Sequence, residues 1–337
     1  MTARRHRWVR VPSLDHYSES THAVVYSINC VKRKEIAMEK VGFIGLGIMG
    51  KPMAINLINA GYDLTFYARR PEVIAEMEGL GATAAASPAA VAEHTDIIIT
   101  IVTADPEARE VILGENGVLR GASEGKLIVD MSTISPLTIR EIAEEAEAKG
   151  VAVMDAPVSG GDTGAINGTL TIIAGGNADD FERCRGLFDA MGNEENIFHV
   201  GSVGVGQTVK IVNQLIGGIN MAAIAEGLIL GIRAGADPEV MRQVISVSSA
   251  NSALFQIRVS DFLLADSFAP GFMLDLMKKD LAIGVDLGKA LNVPMPIGAA
   301  TYQMYSAASG LGAGEMDFSA VCKAAEHLSG TRISQDG

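Results

Sequence analysis

A single lysine interrupts a long apolar stretch of the chain. The segment GVGQTVKIVNQLIGG (204–218) holds one charged residue, Lys210, and no other Asp, Glu, Lys or Arg occurs between Asn196 and Ala225. Burial of an ammonium group favours its neutral form and lowers its pKa. A lysine whose pKa is near neutrality can act as a general acid and base. Lys210 is therefore a candidate catalytic residue, and the alternative is a snorkelling side chain whose ammonium group reaches water.

A serine followed by two glycines forms a second candidate site. It lies in DAPVSGGDTGAINGTLTIIAGG (155–176), directly after a predicted strand. Ser159 offers a hydroxyl group, and Gly160 and Gly161 offer backbone N–H groups with no side chain in the way. Together these donors could hold a small carboxylate. The alternative is a tight turn that joins two strands.

A glycine motif near residue 40 points to a nucleotide. VGFIGLGIMGKPMAINLINAG (41–61) places Gly45, Gly47 and Gly50 as GxGxxG between a predicted strand and a predicted helix. In such motifs the glycines permit a tight turn, the approach of a pyrophosphate and close helix–strand packing. The helix N-terminus adds N–H groups and a positive dipole. The sequence predicts dinucleotide binding by Gly45, Leu46, Gly47, Ile48, Met49 and Gly50.

The end of the second predicted strand bears on which dinucleotide binds. An acid there would accept a hydrogen bond from the ribose 2′-hydroxyl of NAD, but this chain reads FYARRPE (66–72), with Arg69 and Arg70 and no acid before Glu72. Guanidinium groups suit a 2′-phosphate. We therefore expect NADP to be preferred, with NAD as the second possibility. Two solvated arginines in a surface loop are the structural alternative.

Alternating strands and helices must position these groups. Strands are predicted at 40–45, 63–68, 96–102, 126–131, 151–156, 169–176 and 196–201, and helices near 50–60, 71–79, 105–113, 135–149 and 178–192. This alternation predicts an α/β Rossmann domain with a doubly wound, mostly parallel sheet.

After Gly204 the pattern becomes helical. A helix of roughly 28 residues, on the order of 40 Å long, begins there, and the segments 237–250, 252–265, 273–291 and 296–310 also read as helices with no strand between them. We expect an all-α C-terminal domain joined by this long interdomain helix. The predicted organisation is an extension at 1–37, a Rossmann domain at 38–203, the interdomain helix at 204–232 and a substrate and oligomerisation domain at 233–330.

The first 37 residues resemble an addition to the fold. They contain seven basic and three acidic residues and no apolar signal-peptide core. A misplaced translation start, with Met38 as the true start, is the favoured interpretation, and a transit peptide is the alternative. We expect this segment to be disordered if present and the protein to be cytoplasmic.

Charge and composition exclude several classes. A net charge of −13 argues against general affinity for nucleic acid or anionic membranes. The three cysteines and six histidines show no CxxC, HxxxH or HExxH spacing, so no metal site is predicted. The apolar run Ile211–Ile232 is long enough for a membrane span, but Asn213, Gln214, Asn220 and Glu226 interrupt it, which favours a buried helix.

Three segments together resemble the β-hydroxyacid dehydrogenase family. They are FIGLGIMGKPMAINLINA (43–60), DAPVSGG (155–161) and GVGQTVKIVNQ (204–214), and the resemblance spans about residues 38–327. It implies an NAD(P) Rossmann domain, a helical domain that completes the active site, and reversible hydride transfer at a hydroxyl group near a carboxylate. It makes Lys210 the catalytic lysine, with Asn213 as its polar partner, and Ser159, Gly160 and Gly161 the substrate-carboxylate loop.

The same resemblance suggests further site residues. MKKDL (277–281) is similar to a family segment that would put Lys279 and Asp280 near the substrate, with Lys279 also near the cofactor. Val102, Thr103 and Thr133 match positions beside the nicotinamide. In the implied reaction Lys210 gives a proton to an aldehyde oxygen during reduction and removes it during oxidation, and a nearby cation such as Lys279 would lower its pKa.

Smaller features indicate which members are most similar. Asn213-Gln214, GTLTI (168–172) and DFSAV (317–321) look more like tartronate semialdehyde reductases than like 3-hydroxyisobutyrate dehydrogenases. The expected substrate is a small carboxylate-bearing aldehyde or 3-hydroxy acid. Alternatives are 3-hydroxyisobutyrate dehydrogenase, glyoxylate or succinic semialdehyde reductase, and a non-catalytic cofactor-binding scaffold. Gly- and Ala-rich helices suggest a homodimer or homotetramer.

Overall fold

A computed structural model describes residues 39–334 of the chain. The first part of this range alternates strands and helices, and the second part is helical. The predicted extension at 1–37, with its alternatives of a misplaced start and a transit peptide, lies outside the described residues.

Among residues 39–334, nine strands form one sheet. They are β1 Val41–Ile44, β2 Leu64–Tyr67, β3 Thr83–Ala84, β4 Ile97–Thr100, β5 Leu127–Asp130, β6 Ala152–Asp155, β7 Val158–Ser159, β8 Leu170–Gly175 and β9 Gly192–Gly201. The first six run parallel in the order β3-β2-β1-β4-β5-β6. β8 is antiparallel to β6 and β7, and β9 is parallel to β8. The predicted doubly wound, mostly parallel sheet is confirmed.

The sheet is buried on both faces, which explains its continuous apolar strands. Successive side chains of a strand point to opposite faces. In β4, Ile97 and Ile99 therefore pack in one core, with Phe43 and Phe66, while Ile98 packs in the core on the opposite face. A strand covered on both faces needs apolar residues at every position rather than at alternate ones.

In the described part of the chain, eight helices connect and cover these strands. They are α1 Gly50–Asn59, α2 Pro71–Gly79, α3 Pro88–His94, α4 Asp105–Leu113, α5 Val118–Gly121, α6 Pro136–Glu147, α7 Gly161–Asn167 and α8 Ala178–Met191. Three of them, α2, α3 and α6, start with proline, and α4 has Pro106 as its second residue; the fixed φ and missing N–H of proline suit the first helical turn. Ser87 and Ser135 cap α3 and α6 by accepting backbone N–H bonds.

The carboxyl ends of four neighbouring strands meet at one edge of the sheet. Ile44 pairs with Thr100, Thr100 with Asp130, and Asp130 with Asp155. The loops that contain the predicted site residues leave the sheet at this edge. The helix that follows β1 and the helix that precedes β4 lie on opposite faces of the sheet. The switch point is therefore between β1 and β4, and ligands of such sheets bind in the crevice there.

The second part is helical, as predicted. Its main helices are α9 Val205–Arg233, α10 Pro238–Ser246, α11 Ala253–Arg258, α12 Leu274–Ala290, α13 Pro296–Ala308 and α14 Cys322–Ser329. π-helical segments follow α11 and α13 at Val259–Leu264 and Ser309–Ala313, and a 3₁₀ helix, Phe318–Val321, precedes α14. Within residues 205–334 the extended pairing is limited to one isolated bridge, Met273–Asp317. The fold class is confirmed, while the exact domain boundaries stay a prediction.

Helix α9 belongs to both parts of the fold. A Cβ atom on Gly206, in its first turn, would overlap Ile173 O of β8, so the helix begins in direct contact with the sheet. Further along, Met221, Ala225 and Leu228 pack in the core of the helical part. By length and composition α9 could cross a membrane, the one such helix found among the described residues. Its contacts with the sheet and with the helical core account for part of its apolar sequence, while Val212, Ile216 and Leu230 are 48%, 62% and 71% exposed.

Several short elements were not predicted. They include β3, β7, α3, α5, α7 and α14, with two to eight residues each. Elements of this length contain too few apolar positions to show a helical or strand period. The segment after Ser159 was expected as a glycine-rich turn and instead forms α7, while β9 begins at Gly192 rather than near residue 196.

Candidate active site

The glycine motif has the conformation that a dinucleotide-binding loop needs. Gly45 has φ +105°, and a Cβ atom there would overlap Ile101 O. A Cβ atom on Gly50 would overlap Gly45 O, so this glycine allows α1 to pack against β1. At Gly47, by contrast, a Cβ atom would have no neighbour within 4 Å. The loop is closed at its first and third glycines and open at the second, where a pyrophosphate would approach the backbone.

Two arginines border this loop. Arg70 Nη2 donates a hydrogen bond to Leu46 O at 3.1 Å, and its Nε lies 3.8 Å from Glu72 Oε1. Arg69 is exposed beside it, and Ile48, two residues before α1, is 66% exposed. The guanidinium group of Arg70 is thus held against the loop that would bind the cofactor phosphates. These residues fit a dinucleotide.

The loops after β4 and β5 are joined by a buried serine. Val102 N donates to Ser132 Oγ at 2.9 Å, and Ser132 Oγ donates to Asp130 Oδ2 at 3.0 Å. Thr100 Oγ1 donates to the same carboxylate oxygen at 2.6 Å. The predicted nicotinamide neighbours Val102, Thr103 and Thr133 therefore lie in two loops that share one hydrogen-bond network.

Lys210 is buried in the second turn of α9. Its residue exposure is 6%, and its Nζ donates to Gln214 Oε1 at 3.2 Å. Burial lowers the pKa of Lys210 to about 8; the Asp280 carboxylate opposes this change and the Lys279 ammonium group reinforces it. The side chain does not snorkel into water, and it can exchange a proton near neutral pH.

Gln214 is the residue that contacts the lysine. Its Nε2 donates to Asp280 Oδ2 at 2.7 Å, and its Oε1 accepts from both Lys210 Nζ and Asn213 Nδ2, each at 3.2 Å. A carboxylate only accepts, so Asp280 fixes which end of the amide faces Lys210. Asn213 was expected to be the polar partner of the lysine; in the described structure its amide reaches Gln214 instead.

Lys279 and Asp280 join α12 to the Rossmann part. Lys279 Nζ lies 3.0 Å from Asp280 Oδ1 and donates to Thr133 O at 2.5 Å. Two glycines let α12 approach α9 closely: a Cβ atom on Gly218 would lie 3.0 Å from Leu281 Cδ2, and one on Gly284 would lie 3.3 Å from Ile211 Cγ2. The structure thus brings together Lys210, Lys279, Asp280 and the loop that contains Thr133.

The serine–glycine loop lies at the end of β7. Gly160 has φ +139° and Gly161 has φ +66°, conformations that other residues rarely adopt. A Cβ atom on Gly161 would lie 3.7 Å from Gly271 O, so the loop borders the helical part. No hydrogen bond joins Ser159 to Lys210 in the part of the chain that the structure describes; the two segments are connected through Asp155.

Asp155 and Gln207 were not expected at the site. Asp155 accepts hydrogen bonds from Gly204 N and Gln207 N, both at 2.6 Å. The side chain of Gln207 in turn donates to Ser132 O at 2.8 Å and accepts from Ile134 N at 3.2 Å. A weak signal existed in the sequence, since Gln207 lies one helical turn before Lys210 in an otherwise apolar helix. Among residues 39–334, no group of three or more His, Cys, Asp or Glu side chains could hold a metal ion.

Comparisons with known proteins cover nearly all of the described chain. Residues 40–201 match the family model described as the NAD binding domain of 6-phosphogluconate dehydrogenase. Residues 204–325 match the one described as NAD-binding of NADP-dependent 3-hydroxyisobutyrate dehydrogenase.

Individual relatives have different substrates in their names. The chain is 40% identical over 295 residues to 2-(hydroxymethyl)glutarate dehydrogenase of Eubacterium barkeri, covering 88% of this chain and 97% of that protein. It is 39% identical over 295 residues to 2-hydroxy-3-oxopropionate reductase of Escherichia coli (strain K12), covering 88% and 100%. A solved structure of 3-hydroxyisobutyrate dehydrogenase from Salmonella typhimurium is similar with a TM-score of 0.72 and 34% identity, covering 85% and 99%.

These matches confirm the resemblance found in the sequence. They extend over both the sheet and the helical part, and the glycine loop and buried lysine lie within the matched segments. The chain belongs to the β-hydroxyacid dehydrogenase family, whose members are NAD(P)-dependent oxidoreductases that act on CH–OH groups.

Proposed function

We propose that the protein reduces a small carboxylate-bearing aldehyde with NAD(P)H, and that its substrate is tartronate semialdehyde (2-hydroxy-3-oxopropionate), which yields glycerate. The buried Lys210 carries this proposal. Its pKa of about 8 allows the same side chain to hold a proton or release it near neutral pH. A solvated lysine, with a pKa near 10.4, would remain protonated.

Lys210 supplies the acid–base part of the reaction. When bound, the nicotinamide supplies hydride to the aldehyde carbon or accepts it from the alcohol. In reduction the Lys210 ammonium group gives one proton to the carbonyl oxygen, which becomes the hydroxyl group. In oxidation the neutral amine removes that proton. Gln214 holds the lysine in place through its Oε1, 3.2 Å from Lys210 Nζ.

The serine–glycine loop is assigned to the substrate carboxylate. The Ser159 hydroxyl and the backbone N–H groups of Gly160 and Gly161 can donate hydrogen bonds to an anion. Lys279 adds positive charge, and Asp280 is available as an acceptor for a substrate hydroxyl group. Asn213 lies on the exposed side of α9 and is proposed as a second polar group that contacts the substrate.

NADP is the proposed preferred cofactor. Arg69 and Arg70 follow β2 where an NAD-specific enzyme would place an acid. The hydrogen bond from Arg70 to Leu46 O supports this proposal because it keeps a guanidinium group at the loop. Gly45 to Gly50 are assigned to the phosphates, and Val102, Thr103, Thr133 and Lys279 to the nicotinamide side.

The choice of tartronate semialdehyde rests on the relative named 2-hydroxy-3-oxopropionate reductase, with 100% of its length covered, and on Asn213-Gln214. Relatives at 40% and 34% identity are named for 2-(hydroxymethyl)glutarate and 3-hydroxyisobutyrate. 3-Hydroxyisobutyrate dehydrogenase and glyoxylate or succinic semialdehyde reductase are therefore the alternative functions.

One substrate panel tests the proposal. NADPH and NADH oxidation is followed with tartronate semialdehyde, glyoxylate, succinic semialdehyde and methylmalonate semialdehyde. The highest kcat/KM is expected with tartronate semialdehyde and NADPH. A higher value with another aldehyde would change the substrate assignment, and no turnover with any of them would favour a cofactor-binding scaffold.

A homodimer or homotetramer is also proposed. α10 and the residue that follows it expose an apolar stripe, on which Val240 is 55%, Val244 57% and Val247 88% exposed. Exposed apolar stripes of this kind are typical of subunit interfaces. Light scattering of the purified protein would give the mass of the assembly, and a monomer would contradict this part of the proposal.

A further inference from the structure

Asp155 connects the two segments that the proposed reaction uses. It is the last residue of β6, four residues before Ser159, and it is fully buried. Its carboxylate lies at the first turn of α9, where it accepts from Gly204 N and Gln207 N, six and three residues before Lys210. One side chain therefore joins the strand that leads to the serine–glycine loop and the helix that contains the lysine.

The carboxylate occupies a closely fitted space. Its two oxygens accept from Gly204 N and Gln207 N, each at 2.6 Å. A Cβ atom on Gly206 would lie 2.7 Å from Asp155 Oδ2, and one on Gly175 would lie 2.7 Å from Asp155 Oδ1. Glycine at both positions allows α9 and β8 to close around the carboxylate. A shift of the helix start would break both hydrogen bonds.

Gln207 extends this connection to the loop after β5. Its backbone N–H is held by Asp155, and its side-chain amide bonds Ser132 O at 2.8 Å and Ile134 N at 3.2 Å. These two residues flank Thr133, whose carbonyl oxygen accepts from Lys279. A continuous set of contacts thus runs from Asp155 through Gln207 to the loop of Thr133. It ends at Lys279 on α12, the helix that also contains Asp280.

We propose that Asp155 is a positioning residue for the reaction. Its carboxylate holds the first turn of α9, so that Lys210 keeps a fixed place relative to the Ser159–Gly161 loop. This inference rests on the proposed function of Lys210. Proton transfer and hydride transfer both depend on the placement of the reacting groups, and a displacement of about 1 Å can cost about 100-fold in rate.

The charges around Asp155 agree with an ionised carboxylate at neutral pH. Burial raises its pKa to about 6, and the N–H groups of Gly204 and Gln207 and the Arg140 guanidinium group lower it. Asp130 faces it from the neighbouring strand, where the charge of Asp155 raises the pKa of Asp130. An ionised Asp155 accepts both N–H bonds, whereas an amide in its place would present a donor to one of them.

The test compares Asp155→Asn with the wild-type enzyme in single turnover. The rate of hydride transfer is measured per cofactor-binding site, so that a smaller folded fraction does not change it. We expect a loss of about 100-fold, an unchanged dissociation constant for NADPH, and an unchanged pH for the alkaline limb set by Lys210. Asp237→Asn is the control, since Asp237 caps α10, the helix that follows α9, by accepting from Val240 N at 2.9 Å.

A second variant covers the case in which Asp155→Asn does not fold. Gln207→Met keeps the backbone N–H bonded to Asp155 and removes the two side-chain bonds, and a loss of about 10-fold or more in the same rate is expected. Wild-type rates per site in both variants, or an equal loss in Asp237→Asn, would overturn the inference.

Hydrogen exchange separates this inference from the proposed function. Amides of residues 204–210 should exchange faster in Asp155→Asn than in the wild type, whatever the substrate. If the wild type reduces none of the aldehydes but this exchange accelerates, the proposed function fails and the structural connection stands. If the wild type is active and neither exchange nor rate changes, the role of Asp155 is wrong.

Discussion

The ammonium group of Lys210 and the carboxylate of Asp280 are joined through a single amide, that of Gln214. Lys210 Nζ donates to Gln214 Oε1 at 3.2 Å, and Gln214 Nε2 donates to Asp280 Oδ2 at 2.7 Å. A direct ion pair would favour the charged lysine strongly. The interposed amide fixes the position of the lysine while burial keeps its pKa at about 8.

Replacement of Lys210 by methionine should remove the general acid and base and leave the fold intact, because methionine has a similar length and is apolar. We expect turnover to fall by about 10² to 10⁴, with the dissociation constant of the cofactor unchanged by fluorescence titration. Lys210→Arg serves as the control that keeps the charge. If the Lys210→Met variant were nearly as active as the wild type, a role for Lys210 in proton transfer would be excluded.

The two directions of the reaction should depend on pH in opposite ways. Reduction needs the ammonium form of Lys210, so its kcat/KM should fall as the pH rises through about 8. Oxidation needs the neutral amine, and its kcat/KM should rise over the same range. Initial rates between about pH 6 and 10 in both directions measure this. The same pH dependence in both directions would mean that another group titrates.

The alkaline limb is the part of the pH profile in which kcat/KM for reduction falls as Lys210 loses its proton. Two charge changes beside Lys210 should shift this limb in opposite directions. The Asp280 carboxylate raises the pKa of Lys210, so Asp280→Asn should shift the alkaline limb to lower pH. Gln214→Glu places a carboxylate against the ammonium group and should shift it to higher pH, each by about 1 unit. Shifts of the same sign in both variants would show that they act through altered folding rather than through charge.

Arg70 should matter for NADPH and not for NADH. Its guanidinium group is held at the glycine loop by Leu46 O, and a charge-assisted hydrogen bond contributes about 1.5–3 kcal/mol. Arg70→Ser should therefore raise the KM for NADPH by about 10- to 100-fold and leave that for NADH within a factor of about two. Arg185→Ser, which removes an arginine paired with Asp189 on α8, is the control.

Asp130 should destabilise the folded protein at neutral pH. Burial raises its pKa to about 6, and its Oδ1 has no hydrogen-bond partner among the described residues. A raised pKa means that the folded state binds the proton more tightly than the unfolded state. Its contribution to the free energy of unfolding thus falls as the pH rises from about 4 to 6.

Asp130→Asn avoids this cost and should be more stable than the wild type above pH 6 by about 1–3 kcal/mol. The difference should shrink near pH 4, where the wild-type carboxyl is protonated. Urea unfolding at the two pH values measures it. A variant that is less stable than the wild type at neutral pH would show that the charged carboxylate is needed by Thr100 and Ser132.

The long elements could be predicted from the sequence, and the contacts between them could not. β4 and β5 are continuous apolar runs and α9 has one charge in its first half, so their types were evident from the pattern. The family resemblance makes Asn213 the polar partner of Lys210, and this role stays a prediction. The buried stripe of α9 contains Gln207, Lys210 and Gln214, while Asn213 lies on the exposed side. Which stripe is buried depends on β8 and α12, which pack against it from distant parts of the chain.

Asp155 illustrates the same limit. In the sequence it ends a strand before the serine–glycine loop, and 48 residues separate it from the Gly204 whose N–H it binds. A local sequence pattern does not show that the start of a distant helix packs against the end of this strand. The residues with the expected chemistry were identified from their types, whereas those that hold them in place became visible only in the fold.

Helix α9 also has a consequence for unfolding. Its first turn contacts β8 of the sheet, and its later turns pack in the core of the helical half. Neither half can lose its structure without exposing apolar surface that the other half shares through this helix. Heat should therefore melt both halves in one cooperative transition rather than in two.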